Sequence, residues 1–203
     1  DGGNQCGDLR AGFDAKHLAP QYAQIDFRKR SFRARVMIGD RRVNGGARWI
    51  RRLVSEAADH GADFFKVTFG DTTIAVNPIS KDSKLKGARF GSDITLISLN
   101  SPEHNGSDVT SRGDKDSFVI NGPGEYEISG VFIKGFLWKS NYGGEERINT
   151  VYTVQLEGIN LCFLGALSEK DLSGETKEAI DGVDILFVPI GGEDVLDPAG
   201  AHK

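Results

Sequence analysis

From Phe64 onward, apolar and polar positions follow one another in short runs, each with the period of a strand or a helix. Phe64 to Phe69 and Thr72 to Val76 are rich in β-branched and aromatic residues, and Gly70-Asp71 between them predicts a hairpin. Asp93 to Ser98 and Ser117 to Ile120 read as further strands, and Gly130 to Leu137 alternates as a half-buried strand does. Thr150 to Leu156 and Ile159 to Leu164 predict a second hairpin across Glu157-Gly158. Leu172 to Ile180 has helical spacing with Ser173 placed to cap it. Val183 to Ile190 is an almost unbroken apolar run closed by Gly191-Gly192, as expected of a strand covered on both faces. Asp197-Pro198-Ala199 has the residue types of a helix start. Hairpins first, then strand, helix, strand and helix, predict an α/β fold in which a mixed sandwich carries its helices outside.

The front of the chain reads differently. Residues 1 to about 45 show no sustained period and promise little core, whereas Trp49, Ile50, Leu53, Val54 and Ala57 recur at helical spacing and predict a short helix near 47–57. Charge divides at the same place. Residues 1–57 hold 12 Lys and Arg against 6 Asp and Glu, which leaves 13 against 23 behind them, so +6 precedes −10 in a chain of net −4. This division predicts a basic extension over 1–57, poorly ordered apart from that helix, and a separate domain over 58–203. The Arg-rich stretch 28–52 is the one place that could neutralise nucleic-acid phosphates. No aromatic platform accompanies it, and the acidic remainder argues against a longer basic track.

A chain of 203 residues, 38% hydrophobic, can bury one sizeable core. Its apolar runs fall far short of the ~20 residues that cross a bilayer, and it opens without a signal-peptide pattern, so the expectation is a cytoplasmic protein with no membrane partner. Cys6 and Cys162 form neither a metal pair nor a disulfide framework, and Cys162, inside an apolar strand, reads as a small buried hydrophobe. Gly191-Gly192 lacks the spacing of a phosphate-cradling loop and reads as a tight turn.

Several fragments then match in order: Gly122-Pro123-Gly124-Glu125-Tyr126-Glu127, Gly130-Val131-Phe132-Ile133, Arg147-Ile148-Asn149-Thr150, Phe163-Leu164-Gly165, and Val183-Asp184-Ile185-Leu186 leading to Pro189-Ile190-Gly191-Gly192. Together, from about His60 to Lys203, they resemble the small bacterial zinc-dependent hydrolases of metallo-β-lactamase fold, relatives of ascorbate-6-phosphate lactonase-like proteins. The resemblance implies a four-layer αβ/βα sandwich, here cut short before the family's last strand. It also implies a strand ending in His-x-His-x-Asp-His, whose ligands hold zinc and activate a water.

The matching stretch here is Leu99-Asn100-Ser101-Pro102-Glu103-His104. Leu99 and Ser101 stand at the two His positions, Glu103 at the Asp, and only His104 persists. The bridging Asp corresponds to Ala166, and the Asp that precedes proline corresponds to Asn77. Leucine offers no lone pair and a neutral hydroxyl binds zinc poorly, while even a catalytic zinc takes about three protein ligands. Glu125 and Glu127 alternate along a predicted strand, an arrangement read as letting only one of them face the site. His60 precedes the first strand, where relatives place a His or Tyr. The candidate pocket is therefore His60, Asn77, Ser101, Glu103, His104, Glu125 and Ala166, with His104 and Glu103 as the metal-ligand candidates.

Two functions stay open. One is a non-catalytic member of the fold, without a cofactor, whose pocket binds an unknown small molecule or serves as a scaffold. The other is a hydrolase of a small ester, lactone or phosphorylated substrate, using zinc or another divalent metal in a rearranged site.

Overall fold

The computed structural model describes residues 22–29, 32–39, 63–111, 113–156, 158–169, 172, 174–190 and 194–197. Two sheets carry the fold. The smaller has the strand order β3 (Phe65–Phe69), β4 (Thr72–Val76), β5 (Ile94–Leu96) and β6 (Phe118–Ile120). The larger runs from β1 (Tyr22–Lys29) and β2 (Phe32–Gly39) through β11 (Ile185–Pro189), β10 (Ile159–Phe163), β9 (Arg147–Leu156) and β8 (Val131–Ser140) to β7 (Gly124–Ile128) at its far edge. Both sheets are mixed: β4–β5, β5–β6 and β10–β11 pair in parallel, while β3–β4, β7–β8 and β9–β10 are antiparallel.

Alternation explains how the layers meet. Val67, Ile74, Val76, Ile94, Leu96 and Ile120 of the smaller sheet share one core with Ile133, Tyr152, Val154, Leu161, Phe163, Ile185 and Phe187 of the larger. Phe163 and Phe187 stack with centroids 4.3 Å apart, and Phe65 packs on Phe187 at 4.9 Å. The other face of the larger sheet presents Phe136, Val151, Cys162 and Val188 to a second cluster that includes Leu172 and Ile180, beside the helix α1 (Gly174–Ile180). The result is a mixed α/β sandwich with its helix outside, as the resemblance implies. Among the described residues no helix is long and apolar enough to cross a membrane.

Both predicted hairpins form, with Phe65 opposite Val76 and Ile159 opposite Leu156. The front segment is richer in structure than its composition suggests. Strands β1 and β2 pair with each other, and β2 pairs antiparallel with β11, so this region extends the larger sheet. Its sequence holds the matching signal, Ala23, Ile25 and Phe27 alternating with Gln24, Asp26 and Arg28, then Phe32, Ala34, Val36 and Ile38 with Arg33 and Arg35 between them, so the reading of residues 1 to about 45 as without a sustained period is corrected. Arg28, Arg33 and Arg35 thus belong to strands. The helix expected near 47–57, His60, Gly191-Gly192 and the chain from Pro198 onward lie outside the described residues.

Candidate functional site

At one end of the sandwich the loops after β4, β5 and β10 converge with the start of β9, the place where the family resemblance puts a metal. Asn77 follows β4 directly, and its N–H donates to Leu96 O at 2.8 Å, carrying the sheet ladder one residue further. Its φ of 50° lies in the left-handed region, which Asn tolerates better than most residues. Its side chain works in both directions. Nδ2 donates to Asp63 Oδ2 at 2.7 Å, and Oδ1 accepts from Ser98 N at 2.8 Å. An aspartate at this position could make only the second bond and would set two carboxylates against each other.

His104 occupies the tight turn that follows β5. Ser101 O accepts from both His104 N and Asn105 N, each at 2.9 Å. Within that turn Ser101 Oγ lies 2.8 Å from His104 Nδ1. On the other side of the ring, Nε2 stands 3.0 Å from Asp63 Oδ1, within ion-pairing reach although the ring N–H does not aim squarely at that oxygen. Ser101 is 5% exposed, His104 2%, Asp63 4% and Asn77 1%, so the chain Ser101–His104–Asp63–Asn77–Ser98 forms a polar network shut inside the fold. Within it Asn77 and Ser101 find partners, while among the described residues Asp63 Oδ1 and Ser98 Oγ make no hydrogen bond.

Serine, histidine and aspartate in sequence have the connectivity of a nucleophile, its base and the group that orients the base. The burial of Ser101 and its place inside a one-turn clasp fit a structural role instead. Beside Asp63 the remaining space, lined by Asn77, Phe163, Gly165 and Phe187 among others, offers about 10 Å³ to the centre of a water-sized sphere. That is room for about one water and for no substrate.

A second set of bonds fixes the loop after β10. Asn149 Oδ1 accepts from Ala166 N at 3.0 Å, and Asn149 Nδ2 donates to Leu164 O at 2.9 Å. Asn149 also bridges by its backbone to Leu99. Between Leu164 and Ala166, Gly165 has φ +60°, and a Cβ there would fall 2.5 Å from both Asn149 Oδ1 and Ser98 Oγ. Only glycine lets this loop close on the end of β5. Ser140 Oγ donates to Ala166 O and accepts from Tyr142 N, which ties the following turn to the same loop.

From that turn Tyr142 covers His104 edge-on, with centroids 4.8 Å apart and planes at 89°. Burial first, and then the carboxylates of Glu103, Asp63 and Asp194, push its hydroxyl up to about 12, so it remains a neutral group over the imidazole.

The expected site residues do not all meet. Asn77, Ser101, His104 and Ala166 gather here, and Leu99 is buried beside them with its apolar side chain. Glu103 turns aside to Ser83 Oγ at 3.3 Å. Glu125 lies on the edge strand β7, paired with Lys134 at 3.0 Å, and does not join the His104 network. The reading of Glu125 and Glu127 is corrected as well: residues two apart on a strand share a face, and both are exposed on the same side. Among the described residues, no three of His, Cys, Asp and Glu are grouped to hold a metal. Sequence reasoning missed Asp63, Asn149 and Tyr142. A lone aspartate directly ahead of the first apolar strand was the available signal for Asp63, since a charge there is either exposed or paired.

Comparison with known proteins follows the same lines. A family model described as a beta-lactamase superfamily domain matches residues 59–203. A crystal structure from Thermotoga maritima, assigned to the Zn-dependent hydrolases of the metallo-β-lactamase superfamily, is similar with a TM-score of 0.55 and 27% identity. The similarity covers 70% of this chain and 65% of that one, so the chain spans less than two thirds of that protein's length. No curated protein matches.

Proposed function

Because this chain belongs to the β-lactamase superfamily, we propose that it is a non-catalytic member of it, in which a metal-independent polar network has taken the place of the zinc ligands and the domain serves in binding or as a scaffold. One observation carries the reading. Both ring nitrogens of His104 face protein side chains in a buried setting, Nδ1 bonded to Ser101 Oγ and Nε2 3.0 Å from Asp63 Oδ1. A zinc ligand needs one nitrogen free to face the ion.

The neighbouring donors do not fit zinc either. Leu99 and Ala166 bring carbon, Asn77 brings an amide already bonded at both ends, and Glu103 faces Ser83. The residual space beside Asp63 suits about one water, which favours a scaffold over a small-molecule enzyme. A bacterial, cytoplasmic setting belongs to the same proposal and rests on the family resemblance.

Thermal unfolding of the full chain, with chelator and with added zinc, tests this reading. The midpoint is expected to stay the same in both. A zinc-dependent rise that disappears in His104→Ala would overturn it, because a ligand that binds only the folded state must raise its stability.

A further inference from the structure

β7 ends the larger sheet, and among the described residues no strand pairs with its other side. Its turn to β8 is Ser129-Gly130, with φ of 54° and 78°. Two consecutive left-handed residues make the two-residue hairpin turn whose twist suits the strands. Such a turn makes Ile128 and Val131 the first hydrogen-bonded pair, and pairs alternate from there. Glu127, opposite Phe132, and Glu125, opposite Lys134, are then the non-bonded pairs, so their backbone N–H and C=O groups point away from β8 to the open edge.

The side chains follow a matching rule. Residues directly opposite share a face, and Ile133, between Phe132 and Lys134, points into the core, so Glu125 and Glu127 lie on the outer face. Both are exposed, and the Glu125 side chain is 75% so. Inward from them runs a groove of about 350 Å³, whose lining includes Phe132, Gln155, Asn160 and Asp181. Phe132, Gln155 and Asn160 form one row across three strands, and Phe132 is 51% exposed. The single cation in that lining, Lys134, already pairs with Glu125 at 3.0 Å.

We propose that the β7 edge is a strand-addition site for an extended, basic segment of a partner protein, with Lys or Arg at every second position. Free backbone groups and carboxylates occur together at Glu125 and Glu127. A strand laid along the edge would therefore bond to both backbones and bring its alternate side chains beside both carboxylates. Charge chooses the occupant. Residues 58–203 carry −10, and among the described residues the charges at the groove and edge are Asp181, Glu125 and Glu127 against Lys134 alone. Carboxylates at an edge also repel other acidic edges, which explains why the strand can stay open without pairing at random. This inference does not depend on the state of the His104 network.

The test is fluorescence anisotropy of a labelled decapeptide alternating Lys and Thr, titrated with the full chain at low and moderate salt. Binding is expected, weakening as salt rises, and falling about tenfold or more in the double variant Glu125→Lys, Glu127→Lys. Lys134→Ala is expected to tighten binding by releasing Glu125. The same peptide methylated on alternate backbone nitrogens is expected to bind far more weakly to the unaltered chain, a readout that needs no variant to fold. Equal binding of a Glu-Thr peptide would overturn the proposal. So would indifference to backbone methylation, or self-association of the peptide-free chain that the double variant abolishes, since the occupant would then be a second copy.

Discussion

His104 Nε2 and Asp63 Oδ1 lie 3.0 Å apart although 41 positions of sequence separate the two residues, and both are almost wholly buried. Asp63 enters from the turn before β3 and His104 from the loop after β5, so their contact joins the outermost strand of the smaller sheet to the end of its third. The same carboxylate accepts from Asn77, which in turn holds Ser98.

Removing Asp63 should therefore cost more than one contact. Asp63→Ala leaves Asn77 Nδ2 buried without its acceptor and removes the carboxylate that faces His104 Nε2, and a buried polar group left unsatisfied costs about 1–3 kcal/mol. Urea unfolding at neutral pH is expected to show that loss with an unchanged slope. A change below about 0.5 kcal/mol, the size typical of surface substitutions, would mean that the network is not closed as described.

Gly165 and Gly158 offer a paired comparison. Both have positive φ, +60° and +84°, but a Cβ at Gly165 meets Asn149 and Ser98 at 2.5 Å whereas one at Gly158 meets nothing within 4 Å. Gly158→Ala is expected to cost about 1 kcal/mol for its backbone alone. Gly165→Ala adds a steric clash and should lose clearly more than that, with disturbed amide resonances at Asn149 and Ala166. Equal losses at the two positions would contradict the close approach of the β10 loop.

The environment of Tyr142 predicts an alkaline limit to stability. Its hydroxyl ionises near 12 in the folded chain, above the usual 10, so between these values the unfolded chain releases a proton that the folded chain keeps. Stability from this group is complete below pH 10 and is lost as pH rises toward 12. In a titration followed at the tyrosinate absorbance, a component near 12 is expected that Tyr142→Phe removes, separate from that of Tyr152, whose hydroxyl burial pushes higher still. That variant should also flatten the fall in stability above pH 10, and an unchanged component near 12 would refute the assignment.

Much of the fold was legible because its strands are short, apolar and bounded by turn residues. Both hairpins and the strand Ile185–Pro189 follow from local pattern alone. The β1–β2 pair carries an alternation of its own, with Ile25 and Phe27, then Phe32, Val36 and Ile38 at every second position or a multiple of it, and the mixed charge of the front segment drew the reading away from it. At the candidate site, the substitutions at Leu99, Ser101 and Ala166 can be read directly from a motif of fixed spacing. What replaces the ligands cannot. Asp63, Asn149 and Tyr142 reach the site only through pairings between distant strands, and their roles depend on hydrogen-bond geometry that spacing does not encode. Glu125 was drawn toward the site by its place in a family motif, and the edge position of β7 is a property of the whole sheet.

The central claim is that protein side chains, not a metal ion, hold His104 in place. Metal content of the purified full chain, measured by elemental mass spectrometry after growth with added zinc, manganese and iron, tests it most directly. The account predicts far less than one equivalent of any of these, unchanged by His104→Ala. About one equivalent of metal, lost in that variant, would contradict it.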